Sequence, residues 1–186
     1  MSFIRIDVKD QSTTELLQQA QQKLGDLAPI MLNISEIMYD DVMENFEQQG
    51  RPRWPALKES TIARRETKGY WPGKILQMRG ELVASIQTKS DADSAIVGTN
   101  KEYAAAQQFG AEITMPARPQ LLAFKRYKSG PRRGKTRFVK AEKADFTRSI
   151  SRGPYTVKIP PRPFLVISTE AITEIKEFIG KELTNG

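Results

Sequence analysis

Two tight carboxylate pairs and one glycine-bracketed basic run are the stretches whose residue types and spacing could carry chemistry. Asp40-Asp41 and Asp91-Ala-Asp93 offer the hard oxygen donors of a divalent-cation site. Such a site also uses substrate phosphates and a supporting shell. Asp91 and Asp93 lie between two strand-like segments and read as hairpin-turn residues, while Asp40 and Asp41 are helix neighbours that point in different directions. Gly130-Pro-Arg-Arg-Gly-Lys-Thr136 ends like a phosphate loop, but only three residues separate its glycines and no strong strand runs into it. The chain has no histidine and no cysteine. That removes the commonest general base, thiol nucleophiles, imidazole and thiolate metal sites, and disulfides. The residues therefore predict no catalytic set, no metal or cofactor, and no small-molecule substrate.

Charge gives a stronger signal. The chain carries a net +7, yet Lys125 to Arg148 alone holds ten basic and two acidic residues, a net +8. Residues 11–50 hold seven acidic residues against one lysine. Lys125, Arg126, Lys128, Arg132, Arg133, Lys135, Arg137 and Lys140 are interleaved with Tyr127 and Phe138, with Phe146 following. Three readings fit this segment: docking on an acidic protein face, including that of another copy; a clamp on nucleic-acid phosphates; or a solvated loop. Nothing in it would read base sequence.

The elements that must position this segment follow from periodicity. At 186 residues and 39% hydrophobic, the chain is long enough for one domain with an appendage. No stretch reaches the ~20 apolar residues of a membrane helix. The first residues lack the order of a signal peptide, so a soluble intracellular protein is expected. Residues 3–8 alternate as a short strand. Ser12 and Glu15 have capping-box spacing at the start of a helix, which Gly25 and Pro29 end or bend. A second helix over 29–48 carries an apolar stripe of Ile30, Ile34, Ile37, Met38, Val42 and Phe46, with Glu36, Asp40, Glu44 and Glu47 off it. Those acids form either a solvated face or a contact surface for a basic segment. A short helix spans 60–68. Residues 75–87 predict a helix passing into a strand near Ile86, which pairs with Ser94–Gly98 as a hairpin. A short helix over 103–109, strands over 112–115, 122–124 and 155–159, and a helix from Ser168 or Thr169 complete the chain. Glycines 130 and 134 and Pro131 predict a flexible loop or arm over 125–148. The class is α+β: N-terminal helices on a small, mostly antiparallel sheet, with a C-terminal helix, in one domain over 1–186.

The punctuation also has an order. Trp54, Leu57, Thr61 and Arg64 precede Leu76, Gly80, Leu82 and Ser85 in a Leu-x-x-x-Gly-x-Leu-x-x-Ser spacing. Val97-Gly98-Thr99 then leads to Tyr103-Ala104 and Gln108-Phe109-Gly110, and the set closes with Ile159-Pro160-Pro-Arg162-Pro163-Phe164-Leu165. Over about residues 30–180 this ordered set resembles the phage virion morphogenesis family, the tail-completion proteins of Mu-like phages and prophages. Arg79 stands where that family has a small hydroxyl residue, and Pro161 where it often has alanine. The resemblance implies a structural, non-enzymatic protein of tail completion or the head–tail junction. It also implies ring-forming copies, contacts with other tail or neck proteins, and a place in the host cytoplasm and then the virion. The alternative is a nucleic-acid-binding accessory protein using the basic insert. By residue type, Gly80, Gly98 and Gly110 are expected at backbone-permissive positions. Trp54, Leu76, Leu82, Tyr103 and Phe164 are expected in the core. Arg162, stiffened by flanking prolines, is expected to pair with a carboxylate inside the fold or across an interface.

Overall fold

The computed structural model describes residue 4 and residues 9–185. Of the strand expected over 3–8, only Ile4 falls within them, and it makes one antiparallel bridge to Thr99. The fold is α+β. The chain divides into two compact units, Met1–Ala111 with Ile159–Gly186, and Glu112–Lys158.

The first unit is built on a long helix. Helix α1 (Gln11–Leu24) starts at Asp10 rather than at Ser12. The Asp10 carboxylate accepts from the Thr13 hydroxyl and amide, both at 2.7 Å, and takes the Ser12 hydroxyl at 2.8 Å, so Ser12 is spent on the cap instead of being it. These bonds, those of Thr13 foremost, with Lys176 at 3.0 Å, hold the Asp10 carboxyl far below the usual carboxylate range. Gly25, at φ 78°, ends the helix and returns its amide to Gln21. Helix α2 (Ala28–Glu47) then serves two cores. Its first half packs Ile30, Met31 and Ile34 with Ala20, Ile175 and Ile179; its second half packs Val42 and Phe46 with Trp54, Leu82, Val97 and Phe164. Phe46 meets Trp54 edge-on at 5.7 Å and Phe164 at 5.4 Å.

Helix α3 (Glu59–Thr67) follows, and then the chain departs from its periodicity. No helix forms over 75–82, because Leu76 (φ 61°) and Gly80 (φ 73°) both adopt left-handed backbone. Only a 3-10 turn at Val83–Ser85 remains before the hairpin of β1 (Gln87–Ser90) and β2 (Ala95–Gly98). Asp91 closes that hairpin by accepting from the Asp93 and Ser94 amides at 2.9 and 2.8 Å, as its turn position leads one to expect. Helix α4 (Ala104–Phe109) comes next. Gly110 follows at φ 76°, where a Cβ would lie 2.9 Å from the Ile159 carbonyl, so only glycine fits.

After Ile159 the chain runs back through this core without joining a sheet, and α5 (Thr169–Asn185) closes the unit. Buried side chains serve that irregular stretch. Gln108 Oε1 accepts from the Phe164 and Leu165 amides at 2.9 and 3.0 Å, and its Nε2 donates to the Leu165 carbonyl at 3.1 Å. Asn45 Nδ2 donates to the Phe164 carbonyl at 3.0 Å, and Trp54 Nε1 donates to that of Pro163 at 2.9 Å. Asp41, 7% exposed, accepts from the Ser168 amide and hydroxyl at the start of α5 and from Arg51 at 2.7 Å. Exposed Asp40 is directed elsewhere, so the two neighbours diverge as expected.

The second unit is all strand and turn. Strands β3 (Ala111–Met115) and β7 (Tyr155–Ile159) pair with each other. Strands β4 (Arg118–Arg126), β5 (Thr136–Phe138) and β6 (Phe146–Arg152) form an antiparallel sheet in the order β5-β4-β6. The expected loop over 125–148 thus carries two strands. Its glycines and proline are confined to the turn between β4 and β5, where Gly130 and Gly134 take φ 77° and 83°.

Replacing Gln108 with leucine leaves two buried amides and a carbonyl without partners. The expected loss is on the order of 3 kcal/mol of unfolding free energy. Urea denaturation checks it, and a loss under about 1 kcal/mol would show that Gln108 does not hold the chain there.

Candidate functional site

The β5-β4-β6 sheet sorts its side chains by register. Alternation places Arg118, Gln120, Leu122, Phe124 and Arg126 of β4 on one face. Their cross-strand partners Arg152, Ile150, Arg148 and Phe146 on β6, and Phe138 and Thr136 on β5, lie on the same face. Phe124 is the centre of an aromatic row, with Phe138 at 4.9 Å and Phe146 stacked at 5.5 Å. Arg126 lies 5.4 Å over the Phe146 ring. On the other face Lys125 stands directly opposite Arg137. At the turn, Arg132 and Arg137 lie 6.0 and 5.4 Å from the Tyr127 ring.

Two features make this sheet unusual. No residue of Glu112–Lys158 is buried, and Leu121 and Phe138 are 72% and 71% exposed. The unit also holds thirteen lysines and arginines against three acids. Arg118 faces Arg152, and Lys125 faces Arg137, although like charges directly opposite weaken a strand pair. Asp145 is drawn into the backbone, accepting from the Arg126 amide at 2.7 Å. The predicted contact residues Lys125, Arg126, Lys128, Arg132, Arg133, Lys135, Arg137 and Lys140 therefore share one small unit, in its sheet and turns.

The ordered motif residues converge elsewhere, inside the first unit. Leu57, Thr61, Leu76, Leu82, Tyr103 and Arg162 line one cavity of about 390 Å³. Trp54, Ala104, Phe164 and Leu165 are buried in the adjoining core. The Ser85 hydroxyl lies 2.6 Å from that of buried Thr99, and Pro160 and Pro163 stiffen the chain on either side of Arg162. Several expectations need correction. Tyr103 is 44% exposed, because it stands at the cavity rather than beneath it, and Phe109 is 67% exposed at the end of α4. Gly98, expected at a backbone-permissive position, is a buried strand residue opposite Gln87 and takes no positive φ. Arg64 is exposed, and its neighbour Arg65 is the one at the cavity, only 7% exposed. Arg65 and Asn45 went unmarked in the sequence, and Gln108 stood in the ordered pattern with no role assigned. A helix register built on half-buried Ile62 and buried Arg65 instead of on Arg64 would have signalled the first, and Asn45 has no local signature.

Arg162, 6% exposed, pairs with no carboxylate among the described residues. Its Nε and Nη2 donate to the Pro55 carbonyl at 3.1 and 3.0 Å, and Nη2 also reaches that of Ala56. Arg65 Nη1 donates to the Lys74 carbonyl at 3.0 Å. Burial first, and then the charge of Arg65, lowers the Arg162 pKa; burial and Arg64 lower that of Arg65. No helix among the described residues is long and apolar enough to cross a membrane.

The geometry thus defines an α+β protein with a cationic β-unit and a motif-lined cavity, both suited to binding. The phage virion morphogenesis family is matched over residues 8–184, and the chain belongs to that family. It is 35% identical over 127 residues to "Mu-like prophage FluMu G protein 2" of Haemophilus influenzae, a match covering 64% of this chain and 84% of that protein. It is 40% identical over 78 residues to "Putative capsid assembly protein G" of Escherichia phage Mu, covering 40% of this chain and half of that protein. No solved structure matches. Its role is structural, in phage morphogenesis.

Replacing Phe124 with alanine removes the ring shared by both aromatic pairs, worth about 1–3 kcal/mol of local stability. Tryptic cleavage between Arg126 and Arg137 is expected to rise at least ~10-fold, the factor that 1.4 kcal/mol makes. The melting temperature of the first unit should hold; unchanged cleavage would show that the sheet does not depend on this row.

Proposed function

We propose that this protein is a non-enzymatic, ring-forming subunit of tail completion or head–tail joining. In this reading the β-unit of one copy seats on helix α2 of the next. The observation that carries it is a sheet with no buried residue and with directly opposed cations, in a chain whose longest helix shows a row of acids. Glu36, Asp40, Glu44 and Glu47 are all exposed, with exposed Leu32 one turn ahead of them; Glu44 pairs with Arg51 at 3.2 Å and Glu47 with Lys74, which leaves Glu36 and Asp40 as the acids without an ion pair among the described residues. From Glu36 to Glu47 the row spans about 16 Å at the helical rise, while β4 spans about 27 Å, so the sheet can cover the row. The aromatic row would meet Leu32 and the helix surface, and the arginines would meet the acids. Such a contact joins two different surfaces, and it closes into a ring when the rotation between copies allows.

The names of the relatives support a structural role, since the phage Mu protein is named for capsid assembly. On this reading the protein assembles with other tail or neck proteins in the bacterial host cytoplasm and ends in the virion. A phosphate clamp on DNA is the competing use of the same cations.

Reversing Arg132, Arg133, Lys135 and Arg137 to glutamate should weaken self-association at least ~10-fold, about 1.4 kcal/mol, in sedimentation velocity. Adding Glu36→Lys and Asp40→Lys in a second chain mixed with the first should restore it. If the reversed variant assembles like the parent, while the parent binds duplex DNA with a steep salt dependence, the phosphate clamp replaces self-docking.

A further inference from the structure

The cavity in the first unit has a feature that self-docking through the β-unit does not use. Two arginines, Arg65 and Arg162, each more than nine-tenths buried as whole residues, line the same space. Buried arginines are ordinarily matched to carboxylates, because an unpaired buried charge is costly. Here the hydrogen bonds of both go to neutral backbone carbonyls. Among the described residues, Arg65 Nε and Nη2 and Arg162 Nη1 make none, and no buried side-chain nitrogen lacks a partner, so these donors face accessible space. Each arginine is further burdened by another positive charge, Arg162 by Arg65 and Arg65 by Arg64. The floor is thus an anion-seeking fork already in place.

The walls say which anion. Leu57, Leu76, Met78 and Leu82 make them apolar, which suits an acid carried between apolar groups better than a free hydrated ion. Glu81 stands at the same cavity, 53% exposed, and Arg79, 3.7 Å from it, lines the cavity as well, so that pair adds no net charge to the site. Tyr103 lines it too, and burial together with Glu81 keeps its hydroxyl protonated and able to donate. A volume of about 390 Å³ has room for one acidic side chain with a neighbouring apolar one.

We propose that the Arg65–Arg162 cavity is the receptor for one Glu or Asp, flanked by apolar residues, on an acidic peptide segment of a partner protein. The carboxylate bridges the two guanidiniums, and the leucine walls take the flanking side chain. The proline-stiffened backbone at 160–163 holds the Arg162 fork ready, so little ordering is required when the segment arrives.

The test uses the full chain at fixed ionic strength, with three probes: acetyl-Leu-Glu-Leu-amide, acetyl-Leu-Gln-Leu-amide and inorganic phosphate. The readouts are the Nε–Hε resonances of Arg65 and Arg162, assigned by Arg→Lys substitution, and the melting temperature. The expected result is that the glutamate peptide shifts both resonances, raises the melting temperature and binds at least ~10-fold tighter than the glutamine peptide, since a charge-assisted bond is lost in the latter. Phosphate is expected to do no more than chloride. Arg65→Met should abolish the difference between the peptides. Equal binding of the two peptides, or phosphate binding tighter than the glutamate peptide, overturns the proposal. The peptide comparison is made on the unaltered chain, so it decides even if Arg65→Met fails to fold.

Discussion

The first unit depends on a stretch of backbone that crosses its core with no sheet to join. From Pro160 to Ile167 the chain forms neither helix nor strand, and prolines at 160, 161 and 163 remove three donors outright. The peptide groups that remain still need partners away from water. Asn45, Trp54 and Gln108 supply them from two helices and a loop that are far apart in sequence, and the Arg162 amide finds the Gln107 carbonyl at 2.7 Å. Because these clamps are buried and directional, they fix the stretch in one register. The same register buries Phe164 and Leu165 beside Phe46, presents Arg162 to the cavity and delivers Ser168 to Asp41 at the head of α5.

How much of this was readable depended on whether the governing interaction was local. Helices α2 and α5 and the β1–β2 hairpin follow from periodicity and turn residues, and each formed close to its expected limits. Trp54 was expected as an anchor and is buried at 4% exposure. The helix expected over 75–86 failed because Leu76 takes left-handed backbone, a tertiary demand that apolar spacing does not reveal. The strands β5 and β6 were hidden because glycines, a proline and many cations suggest a loop, while their pairing with β4 is non-local. The cap of α1 moved to Asp10 because its carboxylate takes the Thr13 amide and the Ser12 hydroxyl together, which starts the helix two residues earlier. Of the cavity, six residues were legible as an ordered pattern, yet their convergence was not, and Arg65 was passed over for Arg64.

The charge distribution is the other organising fact. Opposed cations across β4 and its neighbours lower the stability of that sheet by themselves, and exposed phenylalanines on it remain in contact with water. Both costs are relieved by one partner surface that is acidic and partly apolar. Under the self-docking proposed above, helix α2 of a second copy would be that surface, with Glu36 and Asp40 as its acids.

Zero-length carbodiimide cross-linking of an equimolar mixture of ¹⁴N- and ¹⁵N-labelled chains tests this most directly. The account predicts mixed-isotope links from Lys125, Lys128, Lys135 or Lys140 to Glu36 or Asp40, lost at high salt. Links to those acids of a single isotope only, or mixed links that bypass α2, would contradict it.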